Sequence, residues 1–86
     1  MELELDQMQA VIKRLKRAQG QIGGIIKMIE EGRDCQDVVT QMAAVAKAID
    51  RAGFATISVG LQQCVADPDR GEMDLKTMEK LFLSLA

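Results

Sequence analysis

Apolar residues in the first third of the chain recur at helical spacing, and this pattern constrains the fold more than any other feature. Between positions 5 and 29 they lie three or four residues apart, interrupted only at Gln19. This spacing predicts one long helix that packs along one side. Gly32 suits the left-handed residue that ends such a helix. The main stripe is Leu5, Met8, Ile12, Leu15, Ile22, Ile26 and Ile29, and a flanking row adds Val11, Ala18 and Ile25.

A second segment, from Cys35 to Val65, is apolar nearly all round a helix. This distribution predicts a central helix that is covered on several sides. Asp34 can cap its first turn. The segment DPDRG, which contains Pro68, predicts a turn, and a short third helix follows from about Asp74. The sequence therefore predicts an all-α fold of three helices in a single domain, 1–86.

The chain is short for the amount of apolar surface that it carries. A chain of 86 residues buries only about 60–65% of its unfolded surface. With 48% apolar residues, two Phe and neither Trp nor Tyr, the composition favours packed helices. Because the apolar faces of the first two helices exceed what one protomer can cover, we expect an antiparallel dimer that assembles into a tetramer.

The chain has no His, which removes the commonest general base and the commonest borderline metal ligand. Ser-His and Cys-His catalysis and His-based zinc or nickel sites are excluded, and we expect neither an enzyme nor a bound cofactor. The N-terminus MELELD is acidic, and no apolar stretch approaches the roughly 18 residues of a membrane span. We therefore expect a cytoplasmic protein that makes no membrane contact, with its thiols reduced.

Positive charge is concentrated in one segment. Residues 7–29 contain five Lys or Arg and no Asp or Glu, a local charge of +5, so the rest of a chain of net charge −2 carries −7. Lys13, Arg14 and Arg17 face outward together. Such a face is either merely solvated or a surface for duplex DNA; the scarcity of aromatic residues argues against single-strand binding. The nearby group Gly20, Gly23, Gly24, with Gln19 and Gln21, is either a contact surface or a place where backbones pack closely, and we favour close packing for the glycines.

The two cysteines, Cys35 and Cys64, are 29 residues apart. On one continuous helix they would be about 43 Å apart, too far to meet within one chain. If two copies of this helix pack antiparallel about an axis near Ile49 and Asp50, Cys35 lies beside the partner's Cys64. The helix dipole favours a thiolate at Cys35, which would attack, while Cys64 would resolve. The spacing equally allows each to be a small buried hydrophobe.

The stretch KRLKRAQGQIGGIIKMIEEGRDCQDVVTQ, from Lys13 to Gln41, together with Cys64, resembles the copper-sensing operon repressor (CsoR) family of bacterial transcription factors. The resemblance implies a repressor with three helices per protomer, an antiparallel four-helix-bundle dimer and a dimer-of-dimers tetramer. It also implies that one domain both binds double-stranded operator DNA and senses the inducer. The DNA-contacting positions that it implies are Lys13, Arg14, Arg17 and Gln21.

Copper-sensing members bind Cu(I) through Cys-His-Cys, and their His stands where this chain has Gly60. Two cysteines without His are similar to the persulfide-responsive (CstR-type) branch, which regulates sulfide-detoxification genes. That branch implies a metal-free Cys35–Cys64 pair between protomers, which forms interchain di- to tetrasulfides with persulfide or polysulfide and releases the operator. The alternatives are a Cu(I) sensor using both thiolates, a sulfurtransferase using Cys35, and a purely structural helical oligomer.

Overall fold

The computed structural model describes residues 3–66 and 71–86, with the side chains at 64, 65 and 71–74 left out of the description. A short 3-10 turn, Leu5–Met8, here named the N-terminal turn, leads into α1 (Gln9–Glu30). Two further helices follow, α2 (Cys35–Ala66) and α3 (Gly71–Leu85), and the described residues include no strand. The predicted all-α fold of three helices is confirmed. α3 begins before the predicted Asp74, and the predicted turn at 67–70 lies outside the described residues.

The reversal between α1 and α2 follows the signals in the sequence. Gly32 has φ 72°, the left-handed conformation that glycine adopts without a Cβ clash. The N–H of Arg33 donates to the carbonyl of Met28 at 2.9 Å, which satisfies an end carbonyl of α1. The Asp34 carboxylate then accepts from the N–H of Gln36 at 3.1 Å and caps α2. Both the predicted stop and the predicted start are confirmed.

α1 and α2 pack through rows of residues spaced seven apart. Ile25 lies in a buried cluster with Val38 and Val45, and Met28 packs against it. Within the protomer α1 therefore packs through the flanking row, Val11, Ala18 and Ile25, rather than through the main stripe. Four residues of the main stripe stay 42–55% exposed. These are Leu15, Ile22, Ile26 and Ile29.

α3 packs against the second half of α2, so α2 is central, as predicted. The rings of Phe54 and Phe82 meet edge to face with centroids 5.3 Å apart. A Cβ added to Gly53 would lie 2.8 Å from Cδ1 of Leu85, so this glycine gives α3 room to approach. Among the described residues, no helix is both long and apolar enough to cross a membrane.

Three exposed glycines of α1 have no close neighbour within the described chain. A Cβ added to Gly20, Gly23 or Gly24 would meet nothing within 4 Å. Each costs about 1 kcal/mol relative to Ala inside a helix. The predicted close packing at these glycines is therefore not made within one protomer, and it stays a prediction for contacts between protomers.

The protomer is a thin, elongated layer. Its extents are 54 × 25 × 12 Å and its radius of gyration is 16.6 Å, against about 12 Å for a compact chain of this length. Its accessible surface is 6577 Å², where a folded monomer of this mass exposes about 5,000 Å². The excess, about 1,600 Å² by the same scaling, includes large apolar side chains on both long helices. A layer of this thickness encloses a small core, and seven apolar residues in the described part of the chain are buried.

Candidate sensor and nucleic-acid surfaces

One flank of the contact between α1 and α2 is basic. Arg14 and Arg17 of α1 and Arg51 and Ala48 of α2 line a cleft of about 270 Å³. Three arginines from two helices line the same cleft, and among the described residues no Asp or Glu lines it. Arginine presents a rigid fork of donors that matches phosphate geometry. The cleft is therefore suited to a phosphate-bearing ligand.

The structure places the four predicted DNA-contacting residues on α1, all of them exposed. Arg14 and Arg17 are brought together with α2, whereas Lys13 and Gln21 are exposed without being among the residues that line the cleft. Sequence reasoning missed Arg51, because it follows Asp50 in a largely apolar segment and adds no local excess of charge. The available signal was the antiparallel register, which brings the middle of α2 beside the first half of α1.

The opposite flank of the same contact is an apolar groove of about 380 Å³. Ile22, Ile26 and Ile29 of the main stripe face it from α1, so this groove uses the residues that the packing within the protomer leaves exposed. Successive helical residues are about 100° apart, which puts the basic and apolar flanks of α1 on either side of Ala18. The α2 wall is formed by Met42, Val45, Ala46 and Ile49, with Ile25 at the base.

The two cysteines lie at opposite ends of one unbroken helix. Cys35 is the first residue of α2 and is exposed with a free thiol, so it is not part of the protomer's core. Residue 64 lies in the last turn of α2, and its side chain lies outside the description. Twenty-nine residues of α-helix span about 43 Å, whereas a disulfide requires Cα atoms less than about 7 Å apart. A bond between the two cysteines of one chain is excluded.

Helix geometry relates Cys35 to the α2 wall of the groove. Met42, Ala46 and Ile49, which line the groove, lie within about 40° of the direction of Cys35 around the helix axis. Cys35 is therefore on the same side of α2 as this wall and begins two turns before it.

The charged side chains at the start of α2, Arg33, Asp34 and Asp37, sum to −1. Arg33 and Asp37 form an ion pair at 3.7 Å with both side chains about half exposed. The Asp34 carboxylate is occupied by its capping hydrogen bond. Gly60 is buried, and in the described part of the chain no three His, Cys, Asp or Glu side chains form a group that could hold a metal ion.

A buried amide near the end of α2 was not singled out from the sequence. Gln63 is 8% exposed, and neither its Oε1 nor its Nε2 has a hydrogen-bond partner among the described residues. Its neighbour Gln62 is exposed, so nothing in the pair of glutamines indicates which one is buried. The helical register identifies the buried glutamine, because Gln63 follows the buried Val45 by 18 residues, which is five full turns.

A single helical layer with a basic flank, an apolar flank and an exposed cysteine at the start of its central helix has the features of a small regulatory protein. Residues 7–84 match the metal-sensitive transcriptional repressor family, and this chain belongs to that family. The family consists of transcriptional repressors and not of enzymes, so the prediction that the chain is not an enzyme is confirmed.

Relatives and solved structures agree with this assignment. The copper-sensing transcriptional repressor RicR of Mycobacterium tuberculosis is 43% identical over 53 residues, 62% of this chain and 55% of that protein. The chain thus spans about half the length of this curated relative. The copper-sensing repressor CsoR from Geobacillus thermodenitrificans, solved with Cu(I), superposes with a TM-score of 0.82 and 28% identity over 98% of this chain and 91% of that one. The nickel-responsive regulator InrS gives 0.74 and 27% identity over 100% and 98%. The resemblance to the CsoR family is confirmed.

Proposed function

We propose that this chain is a DNA-binding repressor that senses persulfide or polysulfide through Cys35 and the partner's Cys64. The observation that carries the proposal is the unbroken α2, which has a cysteine near each end, in a chain without His. A thiol pair with no imidazole is suited to sulfur exchange rather than to mixed nitrogen and sulfur ligation.

The proposed assembly is an antiparallel dimer in which each apolar groove receives the partner. Obligate dimers bury about 2,000–5,000 Å² in total, and twice the excess surface of this protomer falls in that range. Antiparallel pairing of the two α2 helices brings each Cys35 to the partner's Cys64, which gives two thiol pairs per dimer. Two dimers are proposed to form a tetramer, in line with the family resemblance.

The proposed DNA surface is the basic cleft and its surroundings. In this proposal Arg14 and Arg17 contact phosphate together with Lys13 and Gln21. Arg51 is included in the proposed set because it lines the same cleft as Arg14 and Arg17. Each neutralised phosphate releases counterions and contributes about −0.9 to the slope of log affinity against log salt. Operator binding should therefore weaken steeply as salt rises.

The proposed chemistry is two balanced thiol exchanges. The Cys35 thiolate attacks the outer sulfur of a donor RS–SH, which forms Cys35–S–SH and releases RS⁻. The partner's Cys64 thiolate then attacks the Cys35 sulfur, which forms the interchain disulfide and expels HS⁻. Donors with longer sulfur chains leave one or two extra sulfur atoms in the bridge. No external oxidant is needed, because the donor's sulfane sulfur is reduced to sulfide.

The bridge is proposed to release DNA by population shift. The bridge joins the start of one α2 to the end of the other. Because α2 packs against α1 and forms one wall of the basic cleft, a shift of α2 changes the position of the DNA-contacting residues. Release requires the bridged state to disfavour the DNA-competent arrangement by a few kcal/mol.

A Cu(I) sensor is the second candidate, because RicR and the CsoR structure are described as copper-sensing. Two thiolates suit Cu(I) even without imidazole. In this chain Gly60 stands where the resemblance predicts the third ligand. A copper site here would therefore rest on Cys35 and the partner's Cys64.

Intact mass spectrometry without reductant, after treatment with polysulfide, separates the two candidates. We expect chains linked in pairs, with masses for two, three or four bridging sulfurs, together with loss of binding to DNA from upstream of the gene. Cys35→Ala should keep DNA binding and lose the response, whereas Cys64→Ala should accept sulfur on Cys35 without linking chains. Unlinked chains, or a bridge within one chain, would overturn the mechanism. Release by Cu(I) titration alone would support the copper candidate.

A further inference from the structure

The exposed side of α1 carries positive charge well beyond the basic cleft. Residues 7–29 contain five Lys or Arg and no Asp or Glu, and the last of these cations is Lys27. Lys27 lies about 21 Å along the helix axis from Lys13. Its side chain is 76% exposed, and its ion pair with Glu31 is long, at 3.9 Å. An exposed pair of this kind holds a cation weakly, so Lys27 is free to meet an anionic ligand.

Two glycines lie between these cations on the same face of the helix. We name this surface the outward basic face and define it by the mean direction of Lys13, Arg17 and Lys27 around the axis of α1. At about 100° per residue, Gly20 and Gly24 each lie about 20° from that mean direction. A Cβ added to either glycine would meet nothing within 4 Å, so the packing of the protomer does not require them.

The two glycines weaken α1 and at the same time lower its surface. Each shifts the folding equilibrium towards the unfolded chain by about fivefold relative to alanine. The Cα atoms of a helix lie about 2.3 Å from its axis, whereas the side chains extend to about 5–6 Å. A ligand can therefore approach the axis about 3 Å more closely at the glycines, and cations stand before and after this strip.

The other contacts of α1 leave the outward basic face open. Ala18, which is buried against α2, and Ile26, which lines the apolar groove, each lie about 140° from the mean direction of this face, one on either side. Neither α2 nor the proposed dimer partner therefore covers it. A strip of cations about 21 Å long complements an extended polyanion better than a small anion, and each strand of duplex DNA carries one phosphate per about 3.4 Å of axis.

We propose that duplex DNA lies lengthwise along α1, with its phosphate backbone against Gly20 and Gly24 and with Lys27 as a further phosphate contact. This inference rests on the proposed DNA-binding function and extends its surface from the basic cleft to the second half of α1. The bare helix backbone at the two glycines brings the phosphates within reach of the cations on either side.

Gly24→Ala tests the close approach of DNA, with Gly23→Ala as the matched control. Gly23 is equally open but lies about 80° from the mean direction of the outward basic face. Both variants should raise the equilibrium constant for folding, measured in urea, by about fivefold. Gly24→Ala alone should weaken binding to DNA from upstream of the gene, by about tenfold, the size of one lost hydrogen bond to a charged group. Equal DNA affinity of the two variants would overturn the inference. So would a Gly24→Ala protein of reduced mass in sedimentation, because another protomer would then pack at this glycine.

Lys27→Ala tests the length of the DNA contact, with Glu31→Gln as the matched control because it breaks the same ion pair and keeps the cation. Lys27→Ala should lower the slope of log affinity against log salt by about one, and Glu31→Gln should not lower it. An unchanged slope in Lys27→Ala would contradict the lengthwise placement. Arg17→Ala separates this failure from that of the proposed function. If Arg17→Ala kept the wild-type affinity and slope, the proposed DNA surface itself would be wrong, whereas a weakened Arg17→Ala beside an unchanged Lys27→Ala would confine DNA to the cleft.

Discussion

Replacing Ile26 with Glu tests the proposed pairing of protomers through the apolar groove. Ile26 lines the groove and is 54% exposed in the protomer. Full burial of an isoleucine is worth about 1.5–3 kcal/mol, so covering the exposed half contributes about 1 kcal/mol per protomer. The substitution removes this stabilisation from both protomers of the dimer.

The new carboxylate adds the larger effect. An ion enclosed without a partner costs several kcal/mol, and even a minimum of about 2 kcal/mol per copy doubles across a symmetric interface. With the lost burial, the dimer is weakened by about 6 kcal/mol. At 1.4 kcal/mol per factor of ten, its dissociation constant rises about 10⁴-fold.

Sedimentation velocity at micromolar concentration, with circular dichroism on the same samples, measures the effect. We expect Ile26→Glu to sediment as a monomer with reduced helicity, because the thin protomer cannot cover its own apolar flank. Leu83→Glu is the control, since Leu83 is 62% exposed on α3 and is not part of the groove. An Ile26→Glu protein of wild-type mass, or a wild-type protein that is a folded monomer, would refute the reasoning.

Three further changes test other parts of the structure. Arg51→Ala should weaken operator binding and lower the salt slope by about one, as measured by fluorescence anisotropy at several salt concentrations, whereas Lys80→Ala on α3 should alter neither. Gly23→Ala should raise the free energy of unfolding in urea by about 1 kcal/mol, because the added methyl meets nothing within 4 Å; a loss would reveal another backbone packed there. Phe54→Ala removes the ring contact with Phe82 and should cost about 2 kcal/mol by calorimetry, and an unchanged Tm would show that α3 docks without it.

The reversal between α1 and α2 could be predicted because its causes are local. Gly32 ends α1 through its own backbone conformation, and Asp34 starts α2 through a hydrogen bond to a residue two positions on. The packing rows could not be separated in the same way. Apolar spacing identifies a broad stripe on α1. It does not show that α2 covers the row of Ala18 while the row of Ile26 is left for a partner, because both rows are apolar at the same spacing.

The basic residues of the candidate site that lie on α1 could be predicted from the sequence. The basic residue that α2 contributes could not. Arg14 and Arg17 lie a turn apart in a segment without acids, so their common face follows from the sequence. Arg51 joins them only through the antiparallel register of α2. The buried Gln63 depends on the same register, and a polar residue beside an equally polar neighbour gives no periodic signal.

The length of α2 has a mechanical consequence for the proposed dimer. Two antiparallel rods of 32 residues, each about 48 Å long, touch along their middles and carry one reactive group at every tip. A single covalent link at one pair of tips leaves the rods free to pivot about that point. A second link at the far tips closes them into a frame that can neither pivot nor slide. One sulfur bridge therefore constrains one end of the dimer, whereas two bridges constrain both ends. If release requires both, the fraction of DNA released should rise with the square of the fraction of thiol pairs that are bridged.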